Sequence, residues 1–319
     1  MDEEILKIFK SRPNEYISGE ELSLSLEVSR TAIWKHIEKL RKDGYKIEAV
    51  PNLGYKLLST PDKLLPEELK IGLNTKIIGK RIFSYASVDS TNAIAYKFAE
   101  DGFEEGTVVV AEAQTKGKGR LGRTWISPKE AGIYFSFILR PDILPSEVSK
   151  ITLLSAVAVT KAIREVSGLN AVIRWPNDVL IDNKKVCGIL TEMKAEQDKI
   201  DFMIIGIGIN VNTQKADLPE EATSLKEEIG GDVQRIMLAK AVLEHFEHYY
   251  VLCMKKGFEP IINEWHKFSA MLGSRVKVIC HDKEIQGQVQ DIDESGALVI
   301  RLDNGLMERI FTGDVRFLR

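Results

Sequence analysis

Between Lys116 and Arg123 the chain reads Lys116-Gly117-Lys118-Gly119-Arg120-Leu121-Gly122-Arg123, four cations and three glycines in eight residues. Glycines let a backbone approach an anion closely, and guanidinium forks match the paired oxygens of phosphate and carboxylate. Gly117, Gly119 and Gly122 satisfy the G-x-G-x-x-G spacing, but a dinucleotide fingerprint has to open a helix. Here Trp125-Ile126-Ser127-Pro128 follows, and then the strand-like run Ile133–Leu139. Neither G-x-x-x-x-G-K-[ST] nor H-R-D occurs, which excludes a P-loop and a protein kinase. Taken alone, the stretch is an anion-binding loop or simply a mobile, soluble one.

Other chemistries are thinly represented. Cys187, Cys253 and Cys280 are far apart and form no C-x-x-C, so neither a disulfide framework nor a zinc site is indicated. His245 and His248 lie one turn apart on an expected helix and read as surface decoration. A second concentration of charge lies near the N-terminus: residues 29–46 carry six basic and two acidic side chains, although 1–60 as a whole balances ten against ten. Arg30, Thr31, Trp34, Lys35 and His36 sit at its start, where a helix entering a DNA major groove would present phosphate and base-edge contacts.

These groups must be positioned by at least two domains, with room for a small third, in a chain of 319 residues. With 44% apolar and 29% charged residues and a net charge of −3, the composition is that of a soluble globular protein, not a polycation. No apolar run is long enough to span a bilayer, and MDEEILKIFKSRPNE lacks the features of a signal peptide, so the expected compartment is the cytoplasm, with no membrane partner. In residues 1–60, Ile5, Ile8 and Phe9 mark a first helix, and Ser18-Gly19-Glu20-Glu21 fits a capping box. Ser29 is placed to cap a helix from Arg30 to about Lys42, with Ile33, Ile37 and Leu40 along one side. Two short β-like runs around Pro51-Asn52-Leu53-Gly54 complete a winged helix-turn-helix. Thr60-Pro61 marks a linker. Residues 65–270 alternate strands (Thr107–Ala113, Gly132–Leu139, Val172–Arg174, Val186–Glu192, Phe202–Val211) with helices (Thr91–Glu100, Ser146–Ser167, Gln234–Lys256), the pattern of an α+β domain on a mixed sheet. Residues 271–319, with strands at Arg275–Cys280, Glu284–Ile292, Ala297–Leu302 and Leu306–Phe311, suggest a small SH3-like β-barrel.

The run KGKGRLGRTW resembles the G-[RK]-G-R-x-G-R-x-W signature of biotin–protein ligases. Asp89-Ser90-Thr91-Asn92, Arg174-Trp175-Pro176-Asn177-Asp178, Lys185-Val186-Cys187-Gly188-Ile189-Leu190 and Gly206-Ile207-Gly208-Ile209-Asn210-Val211-Asn212 agree with that family in order. With the two flanking domains the likeness extends over essentially the whole chain, and it is to the bifunctional type that is also a biotin operon repressor. Lys118 stands where some relatives have arginine.

The resemblance implies a two-step reaction. Biotin and ATP give biotinyl-5′-AMP and pyrophosphate, and a lysine of a biotin carboxyl carrier protein then displaces AMP. It implies Lys185 between the biotin carboxylate and the α-phosphate, and Arg120 as a second catalytic group. Around biotin it sets Ser90, Thr91, Asn92, Gln114, Lys118, Gly119, Arg120, Trp125, Lys185 and Gly188. Around ATP or the adenylate it sets Arg120, Arg123, Trp125, Asn177, Lys185, Gly208 and Asn210. Mg2+ would arrive with ATP, not in a protein cage. Operator DNA and a homodimer promoted by biotinyl-5′-AMP are the further expected partners. The rival readings are a lipoate-type ligase, a ligase whose winged helix regulates nothing, and a biotin-sensing repressor without catalysis.

Overall fold

The computed structural model describes residues 1–280 and 283–318; His281, Asp282 and Arg319 of the expected C-terminal domain lie outside them. The chain divides into two compact units, Met1–Leu73 and Asn74–Arg319.

In the first unit, α1 (Asp2–Ser11), α2 (Gly19–Ser25) and α3 (Arg30–Asp43) pack Ile5, Leu6, Phe9, Leu22, Ile33, Ile37 and Leu40 into one core. The Ser18 hydroxyl accepts from Glu21 N–H at 3.0 Å, but the Glu21 carboxylate pairs with Arg12, so only half of the expected capping box forms. Ser29 accepts from Ala32 N–H at 3.2 Å and Gly44 ends α3 in the left-handed conformation, which fixes both ends of that helix. Strands β1 (Lys46–Val50) and β2 (Gly54–Ser59) form the antiparallel hairpin of the wing.

The unit runs past the expected boundary at 60. Helix α4 (Pro66–Lys70) belongs to it, with the Glu68 carboxylate buried against Lys10 (2.6 Å) and the Tyr45 hydroxyl (2.9 Å). Burial pushes the Tyr45 phenol up, and the Glu68 charge adds to it. Glu68→Ala strands that hydroxyl and is expected to cost the unit about 2 kcal/mol. Hydrogen exchange of the α1 and α3 amides in the full chain should then quicken about thirty-fold while the core of the second unit keeps its rates.

The second unit is built on a mixed seven-stranded sheet in the order β3-β4-β5-β9-β8-β7-β6. Its strands are β3 (Ile82–Tyr85), β4 (Val108–Ala111), β5 (Gly132–Leu139), β6 (Val172–Arg174), β7 (Asp178–Ile181), β8 (Lys184–Glu196) and β9 (Lys199–Asn210). Only β3 and β4 pair in parallel. Helix α5 (Thr91–Glu100) covers one face, where Ala95 and Ala99 pack on Ile138, Phe202 and Ile204. On the other face lie α6 (Val148–Ser167) and α8 (Arg235–Lys256), with Phe137 against Phe246 at 4.5 Å between ring centroids. Because both faces are covered, β5 is buried along its whole length, and its apolar pattern is a continuous run without alternation. Short α7 (Leu225–Ile229) and α9 (Glu259–Phe268) complete the helices of this unit. Glu247 of α8 accepts from the N–H groups of Lys76, Ile77 and Ile78, which ties the start of the unit to its helical layer.

Strands β10 (Arg275–Cys280), β11 (Lys283–Ile292), β12 (Leu298–Leu302), β13 (Met307–Ile310) and β14 (Asp314–Phe317) form an antiparallel sheet in the order β13-β12-β11-β10-β14. Among the described residues its two edge strands do not pair, so the expected closure into an SH3-like barrel is not found. The turn between β11 and β12 ties this sheet to the rest of the unit: Trp175 Nε1, just after β6, donates to Gly296 O at 3.0 Å, and Ser149 Oγ of α6 to Ser295 O at 2.7 Å. No helix among the described residues is long and apolar enough to cross a membrane.

Candidate active site

Three neighbouring strands supply the floor. In register, Ser136 of β5 stands beside Gly206 of β9 and Gly206 beside Leu190 of β8; one row on, Tyr134, Gly208 and Gly188 align. A Cβ on Gly206 would sit 1.9 Å from Asn92 Oδ1, and one on Gly208 2.5 Å from Trp125 Nε1, so neither position admits a side chain. The notch holds the start of α5 and the ring of Trp125, and between them opens a cavity. The ten residues expected around biotin all line it.

Several of these side chains are already committed to one another. Gln114 Oε1 accepts from Thr91 N–H (2.9 Å) and its Nε2 donates to Ser127 Oγ (3.0 Å), so the amide holds the α5 N-terminus in place. Ser90 occupies the N-cap position of α5 without making the side-chain cap bond, and it lines the cavity. That hydroxyl is thus left available to a ligand.

A second space adjoins the first, and Gly119, Arg120, Trp125, Asn177 and Lys185 belong to both. Arg123 and Asn210 line only this one, whereas Gly208, expected at the nucleotide, lines the first. Lys185 Nζ lies 2.6 Å from Asp178 Oδ1 and 5.4 Å from the centre of the Trp125 ring. The other Asp178 oxygen accepts from Arg174 at 2.7 Å. The backbone of Lys185 is pinned on both sides, its N–H to Glu221 O and its C=O to Thr223 N–H, each at 2.9 Å. A strongly solvated ammonium on a flexible stem is thereby held at the junction of two cavities.

The glycine-rich loop folds back on itself: Gly119 N–H meets Arg123 O at 2.7 Å and Trp125 N–H meets Gly117 O at 2.9 Å. Arg120 donates to Asn177 Oδ1 (2.9 Å), Thr312 Oγ1 (3.1 Å) and Gly313 O (3.4 Å), and Arg123 pairs with Asp314. Burial lowers the Arg120 pKa from its ordinary value; the charges of Asp314 and Asp178 work against that shift and Arg123 with it. Cys187, beneath the floor, is fully buried and its thiol is pushed up by burial, which makes it an inert core residue.

Sequence reasoning missed the partners: Asp178 as the counter-charge of Lys185, Ser136 and Glu192 behind α5, and Thr312 to Asp314 on the loop arginines. Asp178 stood inside a quoted motif, and the rest carried no local signal. Among the described residues no group of three His, Cys, Asp or Glu is arranged to hold a metal. In the first unit, Arg30, Thr31, Trp34 and Lys35 are exposed on α3, Trp34 by 53%. His36 is partly exposed on the same helix, and its Nδ1 meets Asp2 of α1 at 2.5 Å.

Comparison with known proteins bears on both units. Residues 84–210 match the biotin/lipoate A/B protein ligase family, 2–56 an HTH domain, and 271–318 the biotin protein ligase C-terminal domain. The chain is 40% identical over 316 residues to the bifunctional ligase/repressor BirA of Bacillus subtilis, covering 98% of this chain and 97% of that protein. To the Escherichia coli protein of the same name it is 30% identical over 303 residues, covering 94% and 92%. The biotin protein ligase of Aquifex aeolicus, solved with biotin and ATP, superposes with a TM-score of 0.65 at 32% identity, over 75% of this chain and 99% of that one.

Proposed function

Because the chain belongs to the bifunctional ligase/repressors of the biotin protein ligase family, we propose that its two cavities seat biotin and ATP side by side, with Lys185 spanning the two reacting groups. The observation that carries this is the position of Lys185, whose side chain lines both spaces together with Arg120 and Trp125. The protein is an ATP-dependent biotin–protein ligase that also carries a repressor domain.

In the first step a biotin carboxylate oxygen attacks the α-phosphorus of ATP, the bond from that phosphorus to the β-phosphate bridging oxygen breaks, and pyrophosphate leaves. Two anions have to meet, and positioned cations offset their repulsion. Lys185 serves the carboxylate and the α-phosphate, and Arg120 and Arg123 hold the phosphates from the loop. Mg2+ enters as part of the nucleotide substrate. In the second step the amine of a carrier-protein lysine attacks the acyl carbon, an amide forms, the bond to AMP breaks, and the amine loses a proton. Ser90, Thr91 and their neighbours face the ureido ring, whose N–H and C=O groups need fixed partners in a dry site. No enzyme nucleophile takes part.

The first unit binds operator DNA through the exposed face of α3, as a homodimer promoted by biotinyl-5′-AMP, and the protein works in the cytoplasm. The small C-terminal sheet, SH3-like in size, closes over the nucleotide side of the site. Exchange of labelled pyrophosphate into ATP tests the ligase: it should depend on biotin and not on lipoate, and equal exchange with lipoate would favour the lipoate-type reading. Arg30→Ala and Lys35→Ala should each weaken DNA binding by about five-fold or more and flatten its salt dependence, leaving biotin transfer near wild type. A gel shift at two salt concentrations reads the first effect and a transfer assay the second.

A further inference from the structure

A chain of hydrogen bonds behind the cavity has only one self-consistent direction. Asn92 lies across β9 over Gly206, its Nδ2 donating to Glu192 Oε2 of β8 at 2.7 Å and its Oδ1 facing Ser136 Oγ of β5 at 2.6 Å. The Glu192 carboxylate only accepts, so the amide has to turn its NH2 that way and its carbonyl towards Ser136. That carbonyl also only accepts, and it takes the single Ser136 proton. Ser136 Oγ lies 2.7 Å from Thr91 Oγ1 and, having spent its proton, has to receive Thr91's. The alternative acceptor for Thr91, Gln114 Oε1, is farther at 3.2 Å and already takes the Thr91 N–H. Thr91, which lines the cavity, is therefore left with only lone pairs to offer a ligand.

We propose that Glu192 and Ser136 are positioning residues that fix the Thr91 hydroxyl as an acceptor, so that the site reads a ligand N–H at that point. The inference rests on the biotin reading, in which the N–H belongs to the ureido ring. Neither Glu192 nor Ser136 lines the cavity, and both act through Asn92 and Thr91. Losing the carboxylate would let the Asn92 amide flip. Ser136 would then accept from Asn92 and donate to Thr91, and the Thr91 proton, left with only the long 3.2 Å approach to Gln114 Oε1 or the cavity itself, would compete with the ligand N–H.

The test compares biotin with its two cyclic carbamate analogues, each having one ureido N–H replaced by a ring oxygen, in pyrophosphate exchange. The wild type should penalise one analogue by about ten-fold or more in KM, because a site built to accept a hydrogen bond is left unpaired by it. In Ser136→Ala and Glu192→Leu that penalty should fall below about three-fold, chiefly through a higher KM for biotin, with kcat within about three-fold of wild type. Glu192→Gln, whose carbonyl can still accept from Asn92, should keep the penalty. If Ser136→Ala does not fold, the two Glu192 variants, at a partly exposed position, decide the matter. A merely structural role would raise the KM of biotin and analogue by the same factor, and that result, or a wild type indifferent to both analogues, overturns the proposal. A wild type with no biotin-dependent exchange would instead sink the ligase reading.

Discussion

Lys185→Ala should lower the rate of biotin-dependent adenylate formation by about 10^2–10^3-fold, the usual effect of removing one group aimed at charge that develops in a transition state. Its ammonium is fixed from three sides: the Asp178 carboxylate at 2.6 Å, the Trp125 ring at 5.4 Å, and a backbone held to Glu221 and Thr223. The loss should therefore fall mainly on kcat, with biotin binding weakened less, because the ring contacts around Ser90 and Thr91 persist. Lys185→Arg should not restore the rate. The position a Cβ would take on Gly188 lies 3.1 Å from Lys185 Nζ, so the space is fitted to a compact ammonium and not to a planar fork. Single-turnover adenylation with saturating ATP measures the effect, and a rate for Lys185→Ala within three-fold of wild type would remove the residue from the mechanism.

Biotin together with ATP should tighten both self-association and operator binding by about 5- to 150-fold, the range of ordinary coupling between distant sites. One winged helix covers little DNA, so specific binding calls for two copies on a symmetric operator, and any gain in dimerisation is passed on to the DNA. Ligand that further ordered the glycine-rich loop would lower the cost of forming an interface beside it, and this is the source of the coupling. Sedimentation with and without both substrates, alongside a gel shift on DNA upstream of biotin genes, reads the two quantities. Adenylate-loaded protein that stays monomeric and prefers that DNA no more than random sequence would leave only the ligase standing.

The legible parts of the sequence were those in which local chemistry decides the structure. Helix α5 and strands β5 and β6 have the expected ends, and Ser29 caps α3 as its type and place suggest. Most other short elements escaped. Strands β3 and β7 are four residues each, and α9 hides behind Pro260 at its first turn. Helix α4 falls in the range that the sequence assigns to the second domain, because its attachment to the first unit depends on Glu68 meeting Lys10 and Tyr45, 58 and 23 residues away in sequence. The same limit applies to the site. Its motif residues could be placed in a pocket, but which of their hydrogen bonds were already spent depended on Ser127, Ser136 and Glu192, which carry no pattern of their own. His36, placed outward by helical spacing alone, is partly exposed and has its Nδ1 taken up by Asp2, a partner that spacing could not show.

The glycine floor has a consequence for how this pocket can change. At Gly206 and Gly208 the wall is main chain, and main chain cannot be trimmed. Point mutation there runs in one direction only: each substitution subtracts volume, and none adds it. A lineage or an engineer seeking a larger acid has to carve space elsewhere in the lining, at Asn92, Trp125 or Leu190, where atoms remain to be removed. Two of those three also hold up the site, Asn92 through Ser136 and Glu192 and Trp125 beside Lys185. Leu190 is thus the side chain at which breadth can be gained with least disturbance to the rest of the machinery.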